Sequence, residues 1–99
     1  MAKSSSEIIQ DVETYIARFG GVFGEWYVGT STDPKHALYK VHKLKEGDPG
    51  LLRTSHTEIQ AAEVVEYFVQ TRRTKGKVEQ PESGRLHVYI YKRQPHTKP

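Results

Sequence analysis

The segment RLHVYIYKR, residues 85–93, constrains the fold of this chain more than any other stretch of its sequence. Along it, aliphatic side chains alternate with aromatic and imidazole side chains. The aliphatic set is Leu86, Val88 and Ile90, and the other set is His87, Tyr89 and Tyr91. Successive side chains of a β-strand point to opposite faces of its sheet, so this alternation predicts a strand with two chemically distinct faces. The chain therefore has to build a sheet that includes this segment.

Three segments before this strand have the apolar spacing of helices. They cover residues 5–19, 31–44 and 55–73. Each begins near side chains suited to cap a helix, namely Ser4 with Glu7 in a capping box, Asp33 before Pro34, and Ser55 or Thr57.

Two further strands are predicted at residues 22–29, with a bend at Gly24, and at residues 51–55. The polar residues 74–84 are expected to form a mobile loop. The resulting order is helix, strand, helix, strand, helix, strand. It predicts an α/β or α+β domain in which helices flank a small three-stranded sheet, with the strand directions left open.

A chain of 99 residues is expected to form a single domain. Residues 22–92 are expected to be its core, residues 5–19 an additional N-terminal helix, and residues 94–99 a flexible C-terminal tail. The absence of cysteine excludes disulfides and thiolate chemistry. No apolar run approaches the roughly 18 residues of a membrane span, and the N-terminus lacks the apolar centre of a secretory signal. We therefore expect a cytoplasmic protein without a membrane partner.

The net charge of +3 is unevenly distributed along the chain. Residues 72–99 contain eight Lys or Arg and two Glu, giving +6, whereas residues 1–71 contain seven Lys or Arg and ten Asp or Glu, giving −3. A basic segment suits the binding of a polyanion such as nucleic acid. A solvated surface with a basic tail is the alternative explanation, and the charge alone favours neither.

Residues 26–42, WYVGTSTDPKHALYKVH, resemble the second half of the core of GIY-YIG endonucleases. In that superfamily a Tyr-Ile/Val-Gly strand end leads through a polar turn with proline into a helix that carries an arginine and then a histidine or tyrosine. Residues 51–70 resemble the strand and helix that follow, and residues 84–92 resemble the closing strand. The similarity covers residues 22–92 and implies a GIY-YIG-like fold with metal-assisted hydrolysis of phosphodiesters.

The resemblance also implies roles for individual residues. Tyr27 and Gly29 match the Tyr-Ile-Gly element, and Tyr27 would bind a water molecule or a phosphate. His42 matches the helical His or Tyr and would take up a proton near neutral pH. The first motif tyrosine of the family falls on Tyr15 or on the position of Phe23, and the sequence leaves this choice open.

Two positions depart from the family pattern. The arginine that stabilises the transition-state charge falls on Ala37, and the glutamate that anchors a divalent metal falls on Val65. Fixed cations contribute several kcal/mol to such reactions, so these two departures predict that the nuclease activity is lost. The resemblance further implies that Tyr27, Ala37, His42 and Val65 surround one concavity.

The leading hypothesis is thus a GIY-YIG-like domain without nuclease activity that binds DNA or RNA through a basic surface. Tyr89 and Tyr91 would stack on bases there. The predicted nucleic-acid-binding residues are Lys35, Lys40, Arg53, Arg72, Arg73, Lys75, Lys77 and Arg85.

Two alternatives stay open. An active endonuclease with a rearranged site would use Glu66 or Glu63 to hold Mg²⁺ or Mn²⁺, and Tyr27 with His42 to move the proton. Without such activity no cofactor is expected. A protein-interaction module without nucleic-acid binding would use the N-terminal helix, which either packs on the sheet or pairs with a second copy. The chain is accordingly expected to be a monomer or a weak homodimer.

Overall fold

The computed structural model of the protein describes residues 2–98. Its helices are α1 (Ser5–Arg18), α2 (Pro34–His36), which continues as a π-helical turn over Ala37–Val41, and α3 (Glu58–Gln70). Its strands are β1 (Trp26–Ser31), β2 (Gly50–Thr54), β3 (Lys75–Gly76) and β4 (His87–Lys92). The predicted mixture of helices and strands is confirmed.

The strands form one mixed sheet in the order β2-β4-β1-β3. Strand β4 pairs antiparallel with both β1 and β2, whereas β1 pairs in parallel with β3. The register places Tyr27 opposite Tyr91 and Gly29 opposite Tyr89. The two distinct faces of β4 that the sequence predicts therefore continue across the sheet.

Strand β3 was not predicted, because it lies in the segment expected to be a mobile loop. A Cβ atom at Gly76 would lie 2.4 Å from the carbonyl oxygen of Val28. Only glycine therefore allows this segment to approach β1 closely enough to pair with it. A two-residue strand between polar residues carries no periodic pattern, so the expected three-stranded sheet gains a fourth strand at its edge.

The predicted helix starts are confirmed by side-chain hydrogen bonds. Ser4 and Glu7 form the capping box of α1, and the Asp33 carboxylate accepts a hydrogen bond from the backbone N–H of His36 at 3.1 Å. The N-cap of α3 is Thr57 and not Ser55, because the Thr57 hydroxyl accepts a hydrogen bond from the N–H of Gln60 at 3.1 Å. Such caps satisfy N–H groups that have no partner within the helix.

Helices α1 and α3 cover one face of the sheet, called here the helix-covered face. Its buried side chains form the main core, which comprises Ile8, Val12, Ile16, Trp26, Val28, Ala61, Val64, Val65, Phe68, Val88 and Ile90. Helix α1 thus packs on the sheet of its own chain. Fully burying one such aliphatic side chain stabilises a fold by about 1.5–3 kcal/mol, so this face holds the domain together.

Strand β1 begins later than the sequence predicts. Residues 23–25 form a 3₁₀ turn in place of the expected bent strand, and extended structure starts at Trp26. Within residues 2–98 there is no helix with the length and apolar character needed to cross a membrane.

Candidate functional site

The second face of the sheet carries three tyrosines around one histidine. Tyr27 reaches this face from β1, Tyr89 and Tyr91 reach it from β4, and His42 follows the π-helical turn. The ring centroid of His42 lies 4.7 Å from that of Tyr27, 5.3 Å from that of Tyr89 and 5.0 Å from that of Tyr91. These four residues form the tyrosine–histidine cluster. The structure therefore brings together the two predicted site residues Tyr27 and His42.

The π-helical turn brings His42 into this cluster. The N–H of His42 donates to the carbonyl oxygen of Ala37, five residues back, at 2.9 Å. An α-helix would bond four residues back, so the chain makes a wider turn here. The turn leaves Val41 52 % exposed but buries His42 to 4 % exposure. Single π-helical turns occur frequently at functional sites.

Gly29 makes room for Tyr89. A Cβ atom at Gly29 would lie 2.5 Å from the Tyr89 hydroxyl oxygen and 2.7 Å from its Cζ atom. The tyrosine ring thus lies across strand β1, where any larger residue would collide with it. This glycine, which matches the family motif, has a packing role in the structure.

Hydrogen bonds to both ring nitrogens hold His42 in one tautomer. The carbonyl oxygen of Lys98 lies 2.6 Å from Nδ1, and because a carbonyl only accepts, Nδ1 carries the proton. The Tyr89 hydroxyl lies 2.8 Å from Nε2 and donates to it. The Tyr91 hydroxyl also donates to the Lys98 carbonyl, at 3.2 Å. His42 is therefore neutral, and its basic nitrogen already has a donor.

Burial shifts the pKa of every titratable group in the cluster towards the neutral form. Desolvation raises the pKa of Tyr27, Tyr89 and Tyr91, and nearby charged Glu79 adds to the increase at Tyr27 and Tyr89. Desolvation lowers the pKa of His42, although its hydrogen bond to the Lys98 carbonyl opposes this shift. A tyrosinate base or an imidazolium acid is thus disfavoured near neutral pH.

This environment predicts a pH dependence of stability. A histidine whose pKa is lower in the folded state loses stability as pH falls below its unfolded value of about 6.5, because the unfolded state binds the proton first. The free energy of unfolding is expected to decrease between pH 7 and pH 5. In His42→Gln this decrease should be absent.

Urea denaturation at several pH values measures the effect on both proteins. The carboxyls of Asp11, Asp48, Glu7 and Glu58 have lowered pKa values because they accept hydrogen bonds, so their contributions are lost at more acidic pH, below about 4.5. An equal slope for wild type and variant between pH 7 and pH 5 would contradict the neutral buried state of His42.

The four positions expected around one concavity do not meet. Ala37 is buried on the second face near Tyr27 and His42, but Val65 belongs to the core on the helix-covered face. The sheet separates Ala37 from Val65, because strand side chains alternate between its two faces and the two residues pack on opposite faces. The expectation for Val65 is therefore wrong, because α3 directs its apolar side away from the tyrosine–histidine cluster.

Both candidates for the first motif tyrosine also lie on the helix-covered face. Tyr15 packs edge-on against Trp26, and its hydroxyl oxygen accepts a hydrogen bond from the N–H of Gly50 at 3.0 Å. Phe23 stacks on Phe68, with ring centroids 6.3 Å apart. Neither aromatic ring reaches Tyr27, so the two tyrosine motifs of the family do not form one site here.

The carboxylates proposed to hold a metal are on α3. Glu63 and Glu66 are exposed on this helix, across the sheet from Tyr27 and His42. Among residues 2–98 no group of three or more His, Asp or Glu side chains is placed to hold a metal ion.

An ion pair near the cluster was missed at the sequence level. Arg85 donates to Glu79 at 2.9 Å and to Glu82 at 2.6 Å. The charge of Glu79 raises the pKa of the Tyr89 hydroxyl, whereas the charge of Arg85 lowers it. Both residues lie outside the regular elements, so no periodic pattern marks them. Because one guanidinium is shared by two carboxylates, this group carries a net charge of −1 and adds no net cation to the site.

The predicted basic residues fall into a paired and an unpaired group. Arg53 is bound to Asp11 at 3.0 Å, Arg72 to Glu13 at 2.7 Å, and Arg85 to Glu79 and Glu82. The other predicted residues make no ion pair within residues 2–98, and Lys43 shares this property. We call this second group the basic surface, which consists of Lys35, Lys40, Lys43, Arg73, Lys75 and Lys77.

Three members of the basic surface lie next to residues of the tyrosine–histidine cluster. Lys40 and Lys43 flank His42 at the end of the π-helical turn. Lys75 is paired with Tyr27, and side chains at paired positions of neighbouring strands share a face of the sheet. All six side chains of the basic surface are exposed. They are therefore available to an anionic partner.

The aromatic rings expected to stack on bases are inaccessible. Tyr89 is 6 % exposed and Tyr91 is fully buried, because the π-helical turn and the C-terminal residues cover them. Tyr39, in contrast, is exposed next to Lys40. The predicted stacking role of Tyr89 and Tyr91 is therefore wrong.

The C-terminal residues, expected as a flexible tail, are bound to the domain. We call residues 93–98 the C-terminal strap. The N–H of Arg93 donates to the Glu25 carbonyl at 2.7 Å, that of Lys98 donates to the His42 carbonyl at 2.8 Å, and His96 contacts the Asp48 carboxylate at 2.6 Å. Polar contacts of this kind leave no apolar pattern in the sequence, which explains why the strap was missed.

Comparisons with family models, with curated proteins and with solved structures give no match to this chain. The similarity to the GIY-YIG superfamily stays a prediction from residues 22–92.

Proposed function

We propose that this protein binds nucleic acid through the phosphates of its backbone and does not cleave it. The observation that carries this proposal is the basic surface, whose six cations make no ion pair within residues 2–98 and three of which, Lys40, Lys43 and Lys75, lie next to residues of the tyrosine–histidine cluster. Cations already held by carboxylates contribute little to a new partner, whereas unpaired ones release counterions from phosphates.

The distribution of acidic residues supports the same surface. The exposed carboxylates Glu63 and Glu66 are on α3, whereas Asp11, Glu13, and Glu79 each neutralise an arginine. The exposed carboxylates Asp33 and Glu46 lie in the same segment as Lys35, Lys40 and Lys43, so three lysines face two acids there. The excess of cations, not a complete separation of charge, is what attracts a polyanion.

Backbone strain at two of these cations favours a binding role. Lys43 and Arg73 both have φ of 62°, in the left-handed region that usually contains glycine. They end the π-helical turn and α3, where the N–H of Leu44 bonds to Leu38 and that of Thr74 bonds to Phe68. A residue with a side chain costs about 1–2 kcal/mol in this conformation, so a basic residue at both positions is costly to stability.

Lys43→Gly is therefore expected to stabilise the protein by about 1 kcal/mol while weakening its binding to nucleic acid. Urea denaturation and a binding titration measure the two effects. Lys45→Gly is the matched control, because Lys45 is exposed nearby without a positive φ. The control should give no gain in stability, and a gain of equal size there would contradict this explanation.

Three features support binding without cleavage. The carboxylates considered as metal ligands, Glu63 and Glu66, are on α3, on the other face of the sheet. The Nε2 atom of His42 is occupied by the Tyr89 hydroxyl, and burial raises the pKa of Tyr27. A phosphodiester held here would thus meet cations but no available base.

A single pair of assays tests both parts of the proposal. Titration with short duplex and single-stranded DNA and RNA should show binding at low salt, with log K falling by about 0.9 per phosphate contact for each tenfold rise in salt on a duplex. Incubation with supercoiled plasmid and Mg²⁺ or Mn²⁺ should produce no nicking. Absence of binding at low salt rejects the first part, and nicking that is lost in Glu66→Ala rejects the second.

A further inference from the structure

The carbonyl oxygen of Lys98 occupies an unusual position on the second face. It accepts from Nδ1 of His42 at 2.6 Å and from the hydroxyl of Tyr91 at 3.2 Å. His42 is 4 % exposed and Tyr91 is fully buried, so both donors lie beneath the C-terminal strap. Two neutral donors thus converge on one oxygen atom in the middle of the tyrosine–histidine cluster.

We propose that the Lys98 carbonyl oxygen occupies a binding site for a phosphate oxygen, so that the C-terminal strap and a phosphate compete for the same two donors. The strap is then an autoinhibitory contact. This inference rests on the proposed function in naming a nucleic-acid phosphate as the competitor.

The surroundings of the site favour an anion over a neutral carbonyl. Lys40 and Lys43 flank His42, and Lys75 lies beside Tyr27, and none of the three makes an ion pair within the described chain. A phosphate oxygen carries a formal charge, and hydrogen bonds to an ionised acceptor are about twice as strong as neutral ones. The same donors would therefore hold a phosphate more tightly than they hold the strap.

Other charged groups near the cluster do not cancel this preference. Glu79 acts on Tyr27 and Tyr89, but Arg85 pairs with it at 2.9 Å. Arg85 also pairs with Glu82, so this group leaves a net charge of −1 against the three lysines. The Asp48 carboxylate contacts His96 of the strap at 2.6 Å, so it helps to hold the strap on the domain.

Only polar contacts hold the strap on the domain. Its sequence, RQPHTK, has no large apolar side chain, and its contacts with the domain are hydrogen bonds and one His–Asp pair. Segments that bury little apolar surface open locally at a small fraction of the global unfolding free energy. A phosphate could thus gain access to His42 and Tyr91 without unfolding the domain.

His96→Ala removes the contact with Asp48 and should favour the released strap. We expect the Kd for a short DNA duplex to decrease by about threefold to tenfold, the range for removing one hydrogen bond that opposes binding. His56→Ala is the matched control, since His56 is exposed and outside the strap. An unchanged Kd in His96→Ala, with circular dichroism like that of the wild type, would overturn the inference.

A second measurement on the wild-type protein separates this inference from the proposed function. NMR should show that inorganic phosphate and the duplex both shift the ring signals of His42 and accelerate exchange of the Lys98 amide. Duplex binding without either change rejects the phosphate site and leaves the proposed function intact. A response to inorganic phosphate alone supports the site and rejects nucleic acid as the competitor. No response to either ligand rejects the phosphate site, and the proposed function is rejected as well if the duplex does not bind.

Discussion

Gly29→Ala is expected to destabilise the protein by about 2–3 kcal/mol, because an added methyl group overpacks a filled site and displaces a hydrogen-bonded side chain. The new Cβ would lie 2.5 Å from the hydroxyl oxygen of Tyr89 and 3.0 Å from its Cε2 atom. Tyr89 is 6 % exposed, so its ring cannot move into solvent without opening the second face. Its displacement breaks the hydrogen bond to Nε2 of His42. Urea denaturation measures the loss.

Gly24→Ala is the matched control for this substitution. A Cβ at Gly24 meets no atom within 4 Å, and its backbone is outside the left-handed region. Its stability should change by less than about 0.5 kcal/mol. Equal stabilities of Gly29→Ala and the wild type would show that Tyr89 does not lie across β1.

A double-mutant cycle locates the collision. Tyr89→Phe removes the hydroxyl oxygen, which is the atom closest to the new methyl group. If the two residues collide, Gly29→Ala should cost less in the Tyr89→Phe background than in the wild type. Additive effects would place the cause of the destabilisation elsewhere.

Periodicity predicted the parts of the fold that bury apolar side chains. The alternation of Val88 and Ile90 with Tyr89 and Tyr91 placed two faces on β4, and the structure has both. The capping box of Ser4 marked the start of α1. These patterns are local, and burial on one side of a strand or helix imposes them directly on the sequence.

The site was less predictable because long-range polar contacts build it. Hydrogen bonds join His42 to Lys98, 56 residues later, and to Tyr89, 47 residues later. No spacing rule relates such positions. The fourth strand likewise depends on the contact of Gly76 with Val28. Tyr27 and His42 were singled out from the sequence, and the structure brings them together, but their role stays a prediction. The strap and the fourth strand were not predicted.

The misplacement of Val65 has a specific cause. Aligning a motif fixes a residue's position along α3 but does not fix which face of the sheet this helix covers. Val65 and Phe68 face the same core as Trp26, whereas Tyr27, the next residue along β1, faces away from that core. A change of one residue on a strand exchanges the two faces, so the motif alone could not decide whether Val65 meets Tyr27.

The double variant Lys43→Gln/Lys75→Gln should weaken binding to duplex DNA by about tenfold to a hundredfold at 0.1 M salt. Lys43 directly follows His42, Lys75 is paired with Tyr27, and both lysines are exposed. Each lost phosphate contact reduces the slope of log K against log salt by about 0.9, so the slope should fall by about 1.8. Fluorescence anisotropy at several salt concentrations measures both quantities.

The control must remove the same charge from the other side of the molecule. Arg18→Gln/Lys92→Gln does so. Arg18, at the end of α1, makes no ion pair within residues 2–98, and Lys92, paired with Trp26, which faces the helix-covered core, has only a long contact of 3.9 Å with Glu25. Net charge falls by two in both variants. Equal losses of affinity would show that net charge alone attracts the nucleic acid. A loss confined to Lys43→Gln/Lys75→Gln would show that phosphates lie on the basic surface. Both variants have the same net charge, so long-range attraction alone would weaken binding equally in the two.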